Sequence, residues 1–186
     1  MSVHVARREL LMGLLSIATS SAVIAASGQT ADAPAHDFDF LMGKWSVKHR
    51  RLRTRLTGDT HWESFAGSCE AFPILGGVGN VDDNVLELPG GTYTAASIRV
   101  FDPSRNLWSI WWIDSRTGTI APPVRGSFQS RTGTFYGDDE LRGKPVRARF
   151  IWSDITERSA QWQQAFSNDS GISWETNWFM EFLRRA

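Results

Sequence analysis

Apolar and polar residues alternate along most of the chain after residue 44, with the period of two that is typical of β-strands. The alternation is clearest over residues 159–182, where two strands each keep their large side chains on one face, namely Trp162, Gln164 and Phe166, then Trp174, Thr176, Trp178, Met180 and Phe182. Residues 167–174 between them match the S-x-D-x-G-x-x-W pattern of the Asp-box turn. In that pattern Asp169 can accept hydrogen bonds from backbone N–H groups, and Gly171 can take a positive φ. The segment predicts a tight hairpin, and the turn pattern indicates no chemistry.

Eight further short segments have strand character and are separated by turn sequences: 44–56, 60–72, 80–88, 92–101, 107–114, 124–129, 132–137 and 146–154. Ten antiparallel strands in meander order must either close or leave their edge strands unpaired. The pattern therefore predicts an all-β fold, an antiparallel up-and-down barrel of about ten strands that is wide enough for a ligand. Residues 37–43 begin with Asp37 as a candidate N-cap and end at Gly43, so they predict a short N-terminal helix that plugs the barrel.

Two hairpins allow a prediction of strand register. A turn at 57–59 pairs Leu56 with Thr60, and with them Arg53 with Glu63, Arg51 with Phe65, His49 with Gly67, and Val47 with Cys69. A turn at 102–106 pairs Phe101 with Trp108, Arg99 with Ile110, Ser97 with Trp112, and Ala95 with Asp114. The second register gives an apolar, tryptophan-bearing face that ends in an acid, as expected of a cavity with a polar mouth.

The first strand carries cations on the face that alternation predicts to be the inner one. If Trp45 points into the barrel, then His49, Arg51 and Arg53 do so as well. The alternative is that a bulge, or the outer end of the strand, leaves these cations in solvent. A buried arginine needs a partner, so the inward hypothesis requires Glu63, another acid or a ligand carboxylate within reach.

Composition limits the domain count and the kinds of partner. The chain has 186 residues, a formal net charge of zero and 41% hydrophobic residues, which suits one well-cored domain. Nucleic acids and anionic membranes are bound by clustered positive charge, so the neutral balance argues against both as partners. Nine Trp and eleven Phe are a large aromatic content, and such side chains fill a core or line a cavity.

The N-terminal segment predicts export. Residues 1–26 combine Arg7 and Arg8 with a modestly apolar run and small residues at its end, as in a secretory signal peptide. The twin arginine resembles the Tat signal, and a Sec signal that happens to contain two arginines is the alternative. We expect residues 27–36 to be a flexible tether and residues 37–186 to form the barrel domain, periplasmic or secreted after cleavage. No cysteine lies near the expected cleavage site, so we expect no lipid anchor, and the single Cys69 is expected to be buried without a disulfide.

Three polar or glycine-rich segments do not match phosphate or metal sites. The glycines of 73–79 lack the G-x-G-x-x-G spacing, and residues 80–84 lack the alternating ligands and central glycine of a calcium loop. Residues 138–145 are expected to form a solvated turn. The four histidines, His4, His36, His49 and His61, have no paired spacing, so we predict no metal site.

Several segments of the chain resemble a family of bacterial proteins. They are FDFLMGKW, GNVDDNV, FDPSRNLWSIWWIDSR, FYGDDEL, RFIWSDI and QAFSNDSGISWETNW. Over residues 38–182 the chain resembles the DUF1579 family, whose members are lipocalin-like and of uncharacterised function. The resemblance implies a calycin-type barrel with an internal pocket, and it implies no reaction and no catalytic residue.

Together these observations favour an exported protein that binds a largely apolar or amphipathic small molecule, for which a carboxylate would be the natural partner of the inward cations. The candidate ligand-binding residues are His49, Arg51, Arg53, Glu63, Arg99, Trp112, Asp114, Trp152, Asp154, Gln164 and Trp178. One alternative is a cofactor-free isomerase, lyase or hydratase, with His49 as general base and Asp114 or Asp154 as its acid partner. Another is haem binding through a single histidine, and no other cofactor is predicted. The sequence leaves the oligomeric state open.

Overall fold

The computed structural model describes residues 34–185, so the predicted signal peptide and most of the predicted tether lie outside the described residues. Two short 3-10 helices, Pro34–His36 and Asp39–Leu41, precede the first strand, and a third, Leu75–Gly77, follows the second. The strands are β1 (Gly43–Leu52), β2 (Trp62–Ile74), β3 (Gly79–Leu88), β4 (Gly91–Asp102), β5 (Leu107–Asp114), β6 (Thr119–Ile120), β7 (Val124–Gln129), β8 (Thr132–Leu141), β9 (Lys144–Ser153), β10 (Ser159–Ser167) and β11 (Glu175–Arg184).

Ten of these strands form a closed antiparallel barrel. Neighbours in sequence pair from β1 through β5, then β5 pairs with β7, and the order continues from β7 to β11. The circuit closes because β11 pairs with β1 and β4 pairs with β5. The two-residue β6 lies between β5 and β7 in the chain and adds to β5 outside the circuit. The prediction of an all-β, up-and-down, lipocalin-like barrel of about ten strands is confirmed.

The antiparallel order gives the barrel two distinct ends. The start of β1 lies at the end that we call the plugged end, together with the turns β2–β3, β4–β5, β7–β8 and β9–β10. We call the opposite end the mouth, and the loops β1–β2 and β5–β7 lie there with the turns β3–β4, β8–β9 and β10–β11. Each inward side chain can therefore be placed near one end or the other.

The segment before β1 fills the plugged end. Phe38 and Leu41 are 1% and 0% exposed, and the Phe38 ring lies 4.9 Å from Trp108 in an edge-to-face contact. The Trp108 indole donates to the carbonyl of Pro34 (2.9 Å), and the Trp45 indole donates to that of Leu41 (2.7 Å). The segment plugs the barrel as predicted, but its helical part is two separate 3-10 turns, and the N-cap position before Asp39 is held by Phe38 and not by Asp37.

The predicted register of the β4–β5 hairpin is confirmed at every pair, whereas that of β1–β2 is wrong by two residues. Arg51 lies opposite Glu63, His49 opposite Phe65, Val47 opposite Gly67, and Trp45 opposite Cys69. The reason is that β1 ends at Leu52, and residues 53–61 form a long loop instead of a tight turn. The Asp59 carboxylate holds this loop, because it accepts hydrogen bonds from the Thr54 and His61 backbone N–H groups (3.1 and 2.9 Å).

Residues 138–140 belong to strand β8, so the predicted solvated turn over 138–145 is wrong. Asp138 lies opposite Arg147 and Asp139 opposite Val146 in the β8–β9 ladder. The turn itself is confined to Arg142 and Gly143, which take φ values of +54° and +75°. A two-residue turn with positive φ at both positions matches the twist of a hairpin. Strand β8 can therefore continue through its acidic residues 138–140 up to the turn.

The Asp-box turn joins β10 and β11 at the mouth as predicted. The Asp169 carboxylate accepts from the Ser173 backbone N–H (2.9 Å), and the Trp174 indole donates to the carbonyl of Gly171 (3.0 Å). Hydrogen bonds from the Ser167 and Ser173 hydroxyls lower the pKa of Asp169 to about 2. The side chains of Ser167, Asp169, Ser173 and Trp174 thus hold the hairpin together.

Candidate functional site

An internal cavity lies between the plugged end and the mouth. About 90 Å³ of it can hold the centres of water molecules, which is room for several waters or for part of a small organic molecule. Its mouth side is bordered by Ala121 and Pro122 of the β5–β7 loop. The cavity is therefore a concave site of the kind that barrels use for small ligands.

Six aromatic side chains line the cavity: Trp112, Phe150, Trp152, Trp162, Trp178 and Phe182. The rings pack against one another, with Trp162 and Trp178 edge to face at 5.5 Å and Phe150 against Trp162 at 4.9 Å. These mutual contacts hold the rings in place, so their faces present a preformed apolar surface to a ligand.

A buried polar cluster on β3 and β4 forms the opposite wall. An Arg99 Nη donates to the Asp82 carboxylate at 2.6 Å and the other to the Asn80 amide oxygen at 2.9 Å. Asp82 also accepts from the Asn84 amide (2.5 Å) and the Ser97 backbone N–H (2.8 Å). The side chains of Arg99 and Asp82 are 4% and 3% exposed, so this ion pair is shielded from water.

This cluster can orient a polar group of a ligand. Asp82, Asn84, Ser97 and Arg99 all line the cavity, and the Arg99 Nε is buried without a hydrogen-bond partner. The Arg99 guanidinium also lies 5.2 Å from the Phe38 ring, so aromatic packing adds to the ion pair in holding it in place. Preorganised donors and acceptors of this kind give specificity at little entropic cost.

Five of the predicted site residues line the cavity: Arg99, Trp112, Trp152, Gln164 and Trp178. Gln164 adds a polar group to the aromatic wall, and its amide donates to the buried Asn177 at 2.8 Å. That these residues contact a ligand remains a prediction. The other six candidates do not line this cavity, although two of them, His49 and Arg51, lie close behind it.

His49 points inward and is 3% exposed, as the alternation of β1 predicts. Its ring stacks on Phe65 at 4.5 Å with an interplanar angle of 8°, and its Nδ1 accepts a hydrogen bond from the Trp178 indole (3.2 Å). Burial, reinforced by the charge of Arg51, lowers the pKa of His49 to about 3. The imidazole is therefore neutral near pH 7 and is held behind Trp178, which lines the cavity itself.

Arg51 also points inward and is 9% exposed. It donates to the Tyr93 hydroxyl (3.1 Å), and its guanidinium lies 5.0 Å from the Trp178 ring and 5.2 Å from that of Phe65. Glu63 lies opposite it in the ladder, yet among residues 34–185 no carboxylate comes within 4.0 Å of the Arg51 guanidinium. Arg51 is a buried cation without an ionic partner from the described part of the chain.

Two predicted inward residues face solvent instead. Arg53 is exposed because β1 ends at Leu52, after which the strict alternation no longer applies. Asp154 is exposed because β9 ends at Ser153 and the chain turns with φ +50° at Asp154. The inward-facing side of β9 therefore ends at Trp152, and Asp154 lies beyond it.

The structure does not bring together the proposed catalytic pairs. Asp154 follows β9 at the plugged end, whereas Asp114 ends β5 at the mouth. Asp114 is bound by Arg116 (2.6 Å), whose hydrogen bond is the main cause of the lowered pKa of that carboxyl. His49 hydrogen-bonds to Trp178, and among the described residues it bonds to no acid.

Sequence reasoning missed the acidic and amide residues of the cavity wall: Asp82, Asn84, Ser97, Asp138 and Asp139. For β3 a usable pattern was present, because Asn80, Asp82, Asn84 and Leu86 occupy every second position and are all buried. The other face of β3 carries Val81 and Val85 together with Asp83 and Glu87, so the run of polar residues at strict period two is what marks a polar inner wall. For Asp139, which lies near the mouth, burial raises the pKa of the carboxyl.

Among residues 34–185, no group of three or more His, Cys, Asp or Glu side chains is placed to hold a metal ion. Over the same part of the chain, no helix has both the length and the apolar character that a membrane span needs. Cys69 is buried and unpaired, and burial raises the pKa of its thiol, so it is a poor candidate for a reactive thiolate.

Comparisons with known proteins support the fold. No family model matches the chain, and no curated protein matches it. Among solved structures, the chain is similar to the S-type phycobiliprotein lyase CPES from Guillardia theta, with a TM-score of 0.55 and 7% sequence identity. The match covers 80% of this chain and 90% of that one. At this identity the likeness shows a shared lipocalin-like fold.

Proposed function

We propose that this protein is an exported binding protein that holds a largely apolar small molecule, with at least one polar group, inside its barrel. The observation that carries the proposal is the two-sided cavity, with fixed aromatic rings on one wall and the Asp82–Arg99 cluster on the other. An apolar core alone needs no such cluster, because burying an ion pair costs desolvation that packed apolar side chains avoid. The desolvation cost of the cluster is explained if its side chains hydrogen-bond to a polar group of the ligand.

The carrier hypothesis is favoured over the alternative of a cofactor-free isomerase, lyase or hydratase. General base catalysis near neutral pH needs a group with a pKa near 7 within hydrogen-bond reach of the substrate. His49 is neutral but very weakly basic, with a pKa of about 3, and Trp178 occupies its Nδ1. The likeness to a phycobiliprotein lyase supports a ligand-holding barrel, and we carry no lyase activity over from it.

Haem binding through one histidine receives less support from the described geometry. His49 is stacked on Phe65 and does not line the cavity, so it would have to leave that stack to reach an iron. His36 and His61 are exposed and lie outside the barrel interior. A Soret band in the purified protein would contradict the carrier proposal in its cofactor-free form.

Native mass spectrometry of the full chain, purified from the compartment to which it is exported, tests the proposal. We expect a small organic molecule to be retained at a stoichiometry of one. Ala148→Phe should abolish retention, because Ala148 is 1% exposed and lines the cavity, so a phenyl group there fills it. The matched control is Ala66→Phe, at an exposed position on the outer face of β2, which should retain the molecule.

The proposal is contradicted if the mass spectrum shows only the protein chain without a bound molecule and if an apolar probe such as 4-phenylbutanol shows no saturable binding. Equal retention by wild type and Ala148→Phe would place the bound molecule outside the barrel. A retained molecule whose mass changes during incubation, with loss of that change in a cavity variant, would instead support the enzyme alternative.

A further inference from the structure

A second unpaired arginine lies at the mouth beside Arg51. Arg55 belongs to the β1–β2 loop, and its guanidinium reaches inward to 5.9 Å from the ring centre of Phe166 on β10. Its Nε is buried without a hydrogen-bond partner, and no carboxylate of the described residues lies within 4.0 Å. Burial and the nearby charge of Arg51 lower the pKa of Arg55 to about 10, which leaves it charged at neutral pH.

The Arg55 side chain lies at the mouth end of the barrel, against Phe166 near the end of β10. Its charge acts on Asp139, which lines the cavity, and also interacts with Arg51 and Tyr93. Two cations at the mouth therefore lie within electrostatic range of each other, and the Tyr93 hydroxyl accepts a hydrogen bond from one of them, Arg51. Like charges placed this closely repel, and a shared anion relieves the repulsion.

The loop that carries Arg55 is tied to the barrel at a defined point. The Leu56 backbone N–H donates to the Glu175 carboxylate at the start of β11 (2.8 Å), and Leu56 takes a φ of +56°, which is uncommon for a residue with a side chain. The Glu175 carboxylate accepts this hydrogen bond, and no salt bridge joins it to Arg55. Asp114 pairs with Arg116, and the charges of Asp114 and Asp139 reach Arg51 and Arg55 only at longer range. Among residues 34–185, no carboxylate is thus in direct contact with either inward arginine.

We propose that Arg55 and Arg51, with the Tyr93 hydroxyl, form an anion subsite that binds the carboxylate of an amphipathic ligand whose apolar body lies in the aromatic cavity. The inference rests on the proposed binding function and names the chemical class of the ligand. The β1–β2 loop then acts as a lid, because the ligand carboxylate joins its Arg55 to the fixed Arg51. An arginine presents a planar set of donors that suits a carboxylate, and two of them can share both of its oxygens.

Isothermal titration calorimetry with two probes of matched shape, 4-phenylbutyrate and 4-phenylbutanol, tests this assignment. We expect wild type to bind the acid at least tenfold more tightly than the alcohol, since hydrogen bonds to charged groups are stronger than neutral ones. Arg55→Met keeps an apolar stem against Phe166 and removes the charge, so it should weaken acid binding at least tenfold and leave alcohol binding within threefold. Arg55→Lys should retain part of the preference.

The control variant is Arg53→Met, which removes the same charge two residues away, at an exposed position. It should keep the acid-to-alcohol ratio of the wild type, which separates a local contact from a general effect of net charge. If wild type binds both probes equally, or if Arg55→Met keeps the preference for the acid, the anion subsite is refuted while the proposed function stands. If neither probe binds to the wild type, the proposed function fails and the subsite fails with it.

Discussion

His49 makes the stability of the barrel depend on pH in a way that can be calculated. Its pKa is about 3 in the folded protein and about 6.5 in an unfolded chain, because folding buries the imidazole in its neutral form. A histidine whose pKa falls on folding contributes stability that is complete above pH 6.5 and is lost as the pH falls toward 3. With about 1.4 kcal/mol per pKa unit, the loss between pH 7 and pH 5 is about 2 kcal/mol.

The assay is guanidinium unfolding followed by tryptophan fluorescence at pH 7, 6 and 5. His49→Gln keeps an acceptor for the Trp178 indole and cannot take up a proton, so its free energy of unfolding should lack this part of the pH dependence. The difference between wild type and His49→Gln should therefore shrink by about 2 kcal/mol from pH 7 to pH 5. His61→Gln, at an exposed histidine of the β1–β2 loop, should keep the wild-type slope.

Parallel pH curves for wild type and His49→Gln would refute the reasoning. They would mean that His49 takes up its proton in the folded protein as readily as in the unfolded chain. The side chain would then be more accessible than its stack on Phe65 implies, and the general-base alternative would regain support.

Two further predictions concern stability at pH 7. Asp82→Asn removes the charge partner of Arg99 but keeps an acceptor oxygen, and it should lower the free energy of unfolding by about 3 kcal/mol. Asp83→Asn, at an exposed position on the same strand, should change that free energy by less than about 0.5 kcal/mol. Equal effects of the two substitutions would contradict a buried ion pair. Gly67→Ala places a Cβ against a backbone carbonyl of β3 and 2.7 Å from the His49 Nε2, so it should lower the free energy of unfolding, measured with denaturant, by about 2 kcal/mol. The Cβ of Gly90→Ala meets nothing within 4 Å, and this variant should be as stable as the wild type. A Gly67→Ala protein of wild-type stability would show that His49 can move.

Much of the barrel could be predicted from the chain because its strands have one apolar face and short turns. The β4–β5 register follows from a tight turn at 103–106 and is confirmed at every pair. The β1–β2 register could not be predicted, because the sequence does not show that β1 ends at Leu52 and that residues 53–61 form a long loop. This loop is closed by hydrogen bonds to the Asp59 carboxylate, which form only in the folded loop. A shift of two residues keeps every side chain on its own face, which is why His49 and Arg51 still point inward.

The candidate site was harder to predict than the fold. Alternation assigns a residue to the inner or outer face of a strand, but it does not tell where along the barrel axis the cavity lies. His49 and Arg51 were therefore predicted to line the cavity, whereas Trp178 separates His49 from it. The polar wall was missed for a related reason. The partner of Asp82 is Arg99, which lies on the next strand, and only the β3–β4 register shows that the two charges meet.

The distribution of polar groups within the barrel supports binding over a purely structural role. At the plugged end the interior is filled by aromatic rings in mutual contact, such as Phe38 with Trp108. Against this packing the barrel buries Arg99 with its acid, since the Arg99 guanidinium lies 5.2 Å from the Phe38 ring, and toward the mouth it buries Arg51 without an acid from residues 34–185. Had stability alone shaped this interior, the same aromatic packing could have continued toward the mouth, because apolar replacements of buried ion pairs are often neutral or stabilising. A cavity that places buried charged groups beside apolar rings suits a ligand with both apolar and polar parts.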